Sequence, residues 1–247
     1  MGEGTENIMH HFEPKIIWDF HLGSLDLSVT DYIIWLWIAL FVVFLLMFIA
    51  SRRISLIPKR GQNINEVLIE FVKNNLIIDI MGKEGLPWLS FIATLFLYIL
   101  TCNLLGLIPN SKTPTVLTGT TASWAIIVFI TYHVVGIQRH GIKYFGSFVP
   151  SGVPKVMAPF MLVIEIVSHL ARPFSLAVRL FANMLAGHTV LAIFTAMAIS
   201  ATWWLKIIPF AGVLVMLLFE IFVALIQAYI FAVLAAIYLA GAIHIEH

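Results

Sequence analysis

Three stretches of this chain run long enough to cross a bilayer without carrying a charge. Tyr32 to Ala50 is 19 residues, Leu86 to Ile108 is 23 and Thr113 to Gln138 is 26. About 20 apolar residues are needed to cross a hydrocarbon core of about 30 Å. Beyond Lys155 two further segments, Val156 to Trp204 and Leu205 to Ile243, are apolar throughout but interrupted by Glu165, Arg172, Arg179, Lys206 and Glu220. Composition bears on what this excludes. With 61% hydrophobic and 11% charged residues, against about 25% charged in an ordinary soluble domain, the chain has too few charges for a water-facing surface. A soluble enzyme, a nucleic-acid binder and a disordered linker are excluded together, and a net charge of +1 gives no reason to expect nucleic acid as a partner. Cys102 is the single cysteine, so no disulfide framework or multi-cysteine metal site is available, and no cofactor is expected.

The first 18 residues hold one cation, Lys15, among several acids. That is the wrong sign for a signal peptide, so the amino terminus is expected to be retained. Gln62 to Met81 has a different character from the spans. Ile64, Val67, Leu68, Phe71, Val72 and Ile78 follow helical spacing, with Asn65, Glu66, Glu70, Lys73 and Asn74 between them. This predicts an amphipathic helix lying in the interface. Short linkers fall near Pro58 to Gly61 and Pro109 to Gly119. Cations orient the chain. With the amino terminus outside, nine lie on inner loops (Arg52, Arg53, Lys59, Arg60, Lys73, Lys83, Arg139, Lys143 and Lys155) against Lys15, Lys112 and Lys206 outside, and six of the 13 acids precede residue 32. The fold class is therefore an all-α membrane protein, one membrane domain over residues 1–247 with five membrane-embedded helices and one interfacial helix. Its segments are an outer amino-terminal stretch at 1–29, a first span at 30–51, the interfacial helix at 62–82, spans at 86–109 and 120–138, and two arms at 156–203 and 205–243.

Those two arms are too long to stand upright. Val156 to Trp203 is 48 residues, or about 72 Å at about 1.5 Å per residue. A long, strongly tilted antiparallel hairpin is expected, with its turn near Trp203 to Pro209 and a local disturbance at Pro173. Glu165, Arg172 and Arg179 are spaced by seven residues and share one helix face, with Asn183 one turn further. Glu220 and Gln227 repeat the spacing on the second arm. A charge at the bilayer centre costs at least about 2.5–3.5 kcal/mol, which makes each a functional candidate. For Arg172 and Lys206, a snorkelling side chain or a structural ion pair is an equal alternative. Arg179 lies midway along its arm, cannot shed its proton and needs a carboxylate. Folding the arms about Trp204 sets His188 and Glu220 level, 16 residues either side of it. It puts Gln227 near the level of Arg179 and Glu165 toward the inner end. An imidazole and a carboxylate at one depth suit proton exchange, whereas a lone histidine on an apolar helix is more often merely hydrogen-bonded.

The run from Arg172 through Ser175, Arg179, Asn183 and Gly187 to His188 resembles the signature of the F-type ATP synthase a subunit. Gln227 to Leu234 resembles that family's second motif, and Asn103 to Pro109 fits its third-segment pattern. The resemblance implies a non-catalytic stator subunit facing a rotating c-subunit ring. Arg179 would be the essential arginine with Gln227 near it, His188 and Glu220 the outer proton half-channel, and Glu165 and Ser175 the inner one. Some bacterial members carry the His188 and Glu220 residue types exchanged. Gly106 stands where some relatives have an acid, so no additional outer carboxylate carries over there. Implied partners are the c ring, b subunits of the peripheral stalk, other ATP synthase subunits, protons and the lipid bilayer. The implied location is a bacterial plasma (inner) membrane, with the mitochondrial inner membrane as the alternative. An independent ion-coupled secondary transporter is the competing reading, against which stands the lack of an inverted repeat. A non-conducting assembly scaffold is opposed by Arg179, His188 and Glu220. No phosphate-binding GxxxxGK[ST] loop occurs, so ATP chemistry belongs to other subunits.

Overall fold

The computed structural model describes residues 14–19, 21–22, 25–26, 28–51, 60–108, 111–141, 143–146, 148, 154 and 157–244. Arg52, Arg53, Lys59 and Lys155, with the linker positions Pro58 and Pro109, lie outside them. The described chain is helical apart from two short antiparallel ladders near its start. These are β1 (Ile16–Trp18) with β4 (Val29–Thr30), and β2 (His21–Leu22) with β3 (Leu25–Asp26). Helix α1 spans Asp31–Ser51 and α2 spans Arg60–Phe71. A π-helical stretch, Val72–Ile78, leads into the single turn α3 (Asp79–Met81) and a 3-10 turn at Lys83–Trp88. Then come α4 (Leu89–Leu105), α5 (Thr118–His140), the short α6 (Lys143–Gly146), α7 (Ala158–Ser200) and α8 (Ile207–Ile243). Five segments are long and apolar enough to cross a membrane: Asp31–Ile49, Lys83–Leu105, Thr118–His140, Ala158–Ser200 and Ile207–Ile243. A helix satisfies its own backbone, which is why hydrocarbon selects it.

Helices α7 and α8 are arms of 43 and 37 residues. The turn between them is Ala201–Lys206, slightly earlier than the Trp203 to Pro209 expected from the sequence. It is closed by the amides of Leu205 and Lys206 donating to the Thr202 carbonyl at 2.8 and 3.2 Å. Pro209 instead sits in the first turn of α8, where no intrahelical donor is required. Pro173 lies inside α7, which runs unbroken through it. Side-chain pairs between the arms keep one register. His188 meets Glu220, Asn183 meets Gln227, and Arg172 meets Tyr238, each pair equidistant from position 204 or 205.

The chain divides into two compact units. The first draws on the described residues up to Ile49, with Leu97–Leu117 and Leu180–Ala228. At the start of α1 the Asp31 carboxylate accepts from the Tyr32 and Lys15 amides at 3.0 and 3.2 Å, which places an acid on the helix's positive end. The Lys112 ammonium stands 5.6 Å from the centre of the buried Tyr32 ring, so the loop after α4 gathers at this same end. Tyr98 ties α4 to α1 by donating to the Leu36 carbonyl at 3.2 Å, and Asn103 ties α4 to α8 by donating to the Ala224 carbonyl at 3.4 Å.

The second unit draws on Ala50–Phe96, Thr118–Arg179 and the described residues from Tyr229 onward. Its interior holds Val72, Leu76, Ile77 and Met81, then Ile92, Phe96, Val128 and Tyr132, with Ala232, Ala235, Ala236 and Leu239 from α8. The alanines let other backbones come close, the usual device where no water drives helices together. Val67, Phe71 and Ile78 face outward. One end of this unit is marked by three contacts. Arg139 donates to Glu84, the His140 ring meets the Ile243 carbonyl at 3.2 Å, and the His244 ring meets the Met81 carbonyl at 3.4 Å. The segment leading into α4, the end of α5 and the end of α8 therefore share that end.

Candidate functional site

In the first unit, α7 and α8 bring His188 and Glu220 together, with Nδ1 and Oε1 3.6 Å apart. That separation exceeds a direct hydrogen bond. Glu220 is 2% exposed, and neither carboxylate oxygen has a hydrogen-bond partner among the described residues. A carboxyl so buried is costly to leave unpaired, which marks a position kept for its chemistry. Gly187 permits the approach, because a Cβ there would lie 2.7 Å from Glu220 Oε1. The other ring nitrogen of His188, Nε2, lies 2.8 Å from the Thr113 hydroxyl, supplied by the loop after α4. A carboxyl, an imidazole and a hydroxyl, the first two able to take and release a proton, thus stand in line. The line begins at the end of the unit that carries Lys112 and Tyr32.

Deeper along the same arms, Asn183 Nδ2 donates to Gln227 Oε1 at 2.8 Å. Gln227 is buried, and Asn183 fixes its amide from an otherwise exposed face of α7.

In the second unit, Glu165 joins a larger polar group. His169 Nε2 lies 3.3 Å and Arg172 Nη2 3.6 Å from Glu165 Oε1. His169 Nδ1 faces the Tyr132 hydroxyl at 3.3 Å. The Arg172 guanidinium lies over the Tyr238 ring at 5.4 Å. His133 and Phe148 complete an aromatic wall around His169, their ring centres at 5.3 and 4.6 Å. Burial pushes the Tyr144 phenol pKa up, which keeps it a neutral neighbour. All of these but His133 line a cavity of about 210 Å³ that also meets Gly241, Ala242 and His244. The volume is enough for several waters beside polar walls.

Arg179 closes the second unit's part of α7, and the helix continues from Leu180 into the first. Its side chain is exposed and forms no ion pair with any described residue. The seven-residue spacing that suggested one polar stripe thus resolves into a paired Glu165 and Arg172 and a solitary Arg179. Ser175 is exposed one turn before it. Ala171, Ala182 and Ala186 are exposed along the same side of α7, so the surface beside the guanidinium is built from small residues.

Several members of these clusters, among them Thr113, His169, Tyr132 and Tyr238, were not singled out by sequence reasoning. Thr113 lies in a loop whose position depends on packing against Gly106. His169 shares a helix with Glu165 at i,i+4, a spacing that alone could have raised it. Tyr132 enters from another helix, and no signal in its own segment points to the pairing.

The sequence pattern of the family described as ATP synthase A chain matches residues 33–240. The chain is 43% identical over 241 residues to the ATP synthase subunit a of Magnetococcus marinus, covering 96% of this chain and 93% of that one. It is 38% identical over 245 residues to the subunit a of Pelagibacter ubique, covering 98% and 99%. With the subunit a of Rhodospirillum rubrum it shares 38% identity over 238 residues, covering 96% and 98%.

Proposed function

The chain belongs to the ATP synthase A chain family, and from that premise we propose that it is the fixed subunit that passes protons to and from a rotating ring of c subunits. The single observation that carries this reading is the state of Arg179. A permanent cation in the middle of an apolar arm, exposed and without an ion-pair partner among the described residues, calls for a carboxylate from another chain. Ala171, Ser175, Ala182 and Ala186 beside it leave room for a partner helix to approach closely.

Protons enter by the route containing His188 and Glu220, on the outer side where the Lys112 end of the first unit lies. They neutralise a ring carboxylate, which then turns through lipid without the full charge penalty. On the inner side the proton leaves by way of Ser175 and Glu165, toward the end bearing Arg139 and His140. Arg179 holds the ionised carboxylate between the two routes and obstructs a direct leak, while Asn183 and Gln227 form the polar support one turn away. Each proton releases about 2.3 kcal/mol per 100 mV of membrane potential, which the ring converts to torque. ATP chemistry stays on other subunits. The b subunits of the peripheral stalk hold this chain still in a bacterial plasma membrane, with residues 1–247 as its membrane domain.

Arg179→Ala should abolish proton-driven ATP synthesis while the complex still assembles, because an exposed side chain is no packing anchor. Arg179→Lys should fail as well, since lysine lacks the planar fork. Near-normal ATP-driven proton pumping by Arg179→Ala would overturn the reading.

A further inference from the structure

We propose that Thr113 is a positioning residue that holds His188 in place while its imidazole gains and loses a proton, and that Gly106 is small because Thr113 must occupy the space beside it. The inference rests on the reading of His188 and Glu220 as a proton route. Its physical basis is the hydroxyl, 2.8 Å from Nε2, on a residue only 5% exposed. A hydroxyl is both donor and acceptor and turns freely about its C–O bond. It donates to a bare Nε2 and accepts from Nε2–H with no movement of the ring. Because the hydroxyl suits either state of Nε2, the other ring nitrogen is left to exchange its proton while the ring stays in place. Here the other is Nδ1, which faces Glu220 of α8. Lys112, adjacent in the chain, is turned to the Tyr32 ring.

Two features fix the hydroxyl's position. Pro114 and Val116 are buried with Thr113 in a 3-10 turn, the Val116 amide donating to the Thr113 carbonyl at 3.1 Å. At Gly106, a Cβ would stand 2.6 Å from Thr113 Cγ2 and 2.7 Å from its Cβ, distances that packed atoms do not tolerate. Any side chain at position 106, an acid included, displaces Thr113. The glycine is thus part of this chain's way of building the route, with a hydroxyl brought to the histidine from the loop.

The test is passive proton conductance and ATP-driven pumping in inverted vesicles carrying the whole complex, with the amount of assembled ring measured alongside. Thr113→Val keeps the volume and removes the hydrogen bond. It should lower conductance by about threefold to tenfold, the scale one hydrogen bond supports, and move the midpoint of the pH–conductance curve. Thr113→Ser should restore both. Gly106→Ala should behave as Thr113→Val does, because its added Cβ displaces Thr113 from the ring. Should valine disturb assembly, Thr113→Ala gives the same comparison without added bulk. Wild-type conductance in Thr113→Val or Thr113→Ala beside an impaired His188→Ala overturns the role of Thr113 alone. So does a Thr113→Ser as impaired as Thr113→Val, since size would then matter and the hydroxyl would not. Wild-type conductance in His188→Ala overturns the outer route itself, and this inference with it.

Discussion

The same two helices build both polar clusters, yet the clusters differ in kind. In the first unit the line is thin. Its side chains are 11% and 3% exposed at His188 and Glu220, one loop hydroxyl supports them, and the carboxylate oxygens lack hydrogen bonds among the described residues. In the second unit Glu165 and Arg172 are 32% and 34% exposed, and His169, Tyr132, His133, Tyr238 and Phe148 surround them with alternative contacts. The cause is what packs on the hairpin. A loop and the small end of α4 meet it in one unit, while α5 and the segment after it press aromatic rings on it in the other. A thin line leaves each member without a protein group to stand in for it. A crowded one, opening to a cavity, lets one group stand in for another.

The most decisive break of this comparison is a reversal of sides. Cysteine at Thr118 should be labelled only from outside, and cysteine at Gln138 only from inside, both in a Cys102-free background. Both positions are exposed, at opposite ends of α5. Gly141 is less suitable for the inner label, because its φ of 59° strains any side chain. Labelling with the opposite sidedness would invert the outer and inner assignments of the two clusters.

The next effect is smaller but still large. His188→Ala and Glu220→Ala should each slow proton pumping severely, short of the complete block at Arg179, because water can bridge part of the gap. The exchange His188→Glu with Glu220→His should recover more activity than either half of it. Each half alone puts two like groups at 3.6 Å, where they perturb one another's titration. Strictly additive losses, with no recovery in the double exchange, would mean that the two residues act separately.

Much of this was legible because a bilayer simplifies the problem. Span lengths follow from its thickness, and the depth match of His188 with Glu220 follows from two helical arms sharing one turn, so an error of a few residues at Trp203 to Pro209 left the register intact. What could not be read depends on contacts between segments far apart in sequence. Thr113 reaches His188 only because Gly106 yields, and nothing in either segment states that. Glu165, Arg172 and Arg179 have identical spacing, yet the first two pair, with Tyr238 of α8 beside Arg172, while the third forms no ion pair with a described residue. The π-helical turn at Val72–Ile78 likewise lies beyond periodicity. An amphipathic pattern of period 3.6 cannot announce a stretch with wider hydrogen bonding.

The smallest expected effect is the sharpest test of crowding in the second unit. His169→Leu removes the group 3.3 Å from both Glu165 and the Tyr132 hydroxyl, yet leaves Arg172 on Glu165 and the cavity open. Glu165→Gln removes the carboxylate but leaves His169 facing Tyr132. Each change alone should reduce proton pumping by less than about threefold, the scale of a single hydrogen bond. The double variant should lose far more, on the order of tenfold or beyond, because each single variant leans on what the other retains and such neighbours are not additive. The contrast with the first unit then lies in the sign of the coupling. There the paired exchange repairs, and here the paired deletion compounds. A Glu165→Gln as severe as Glu220→Ala, with no further loss on adding His169→Leu, would show that the inner cluster is also a single line. Its aromatic surroundings would then serve packing alone.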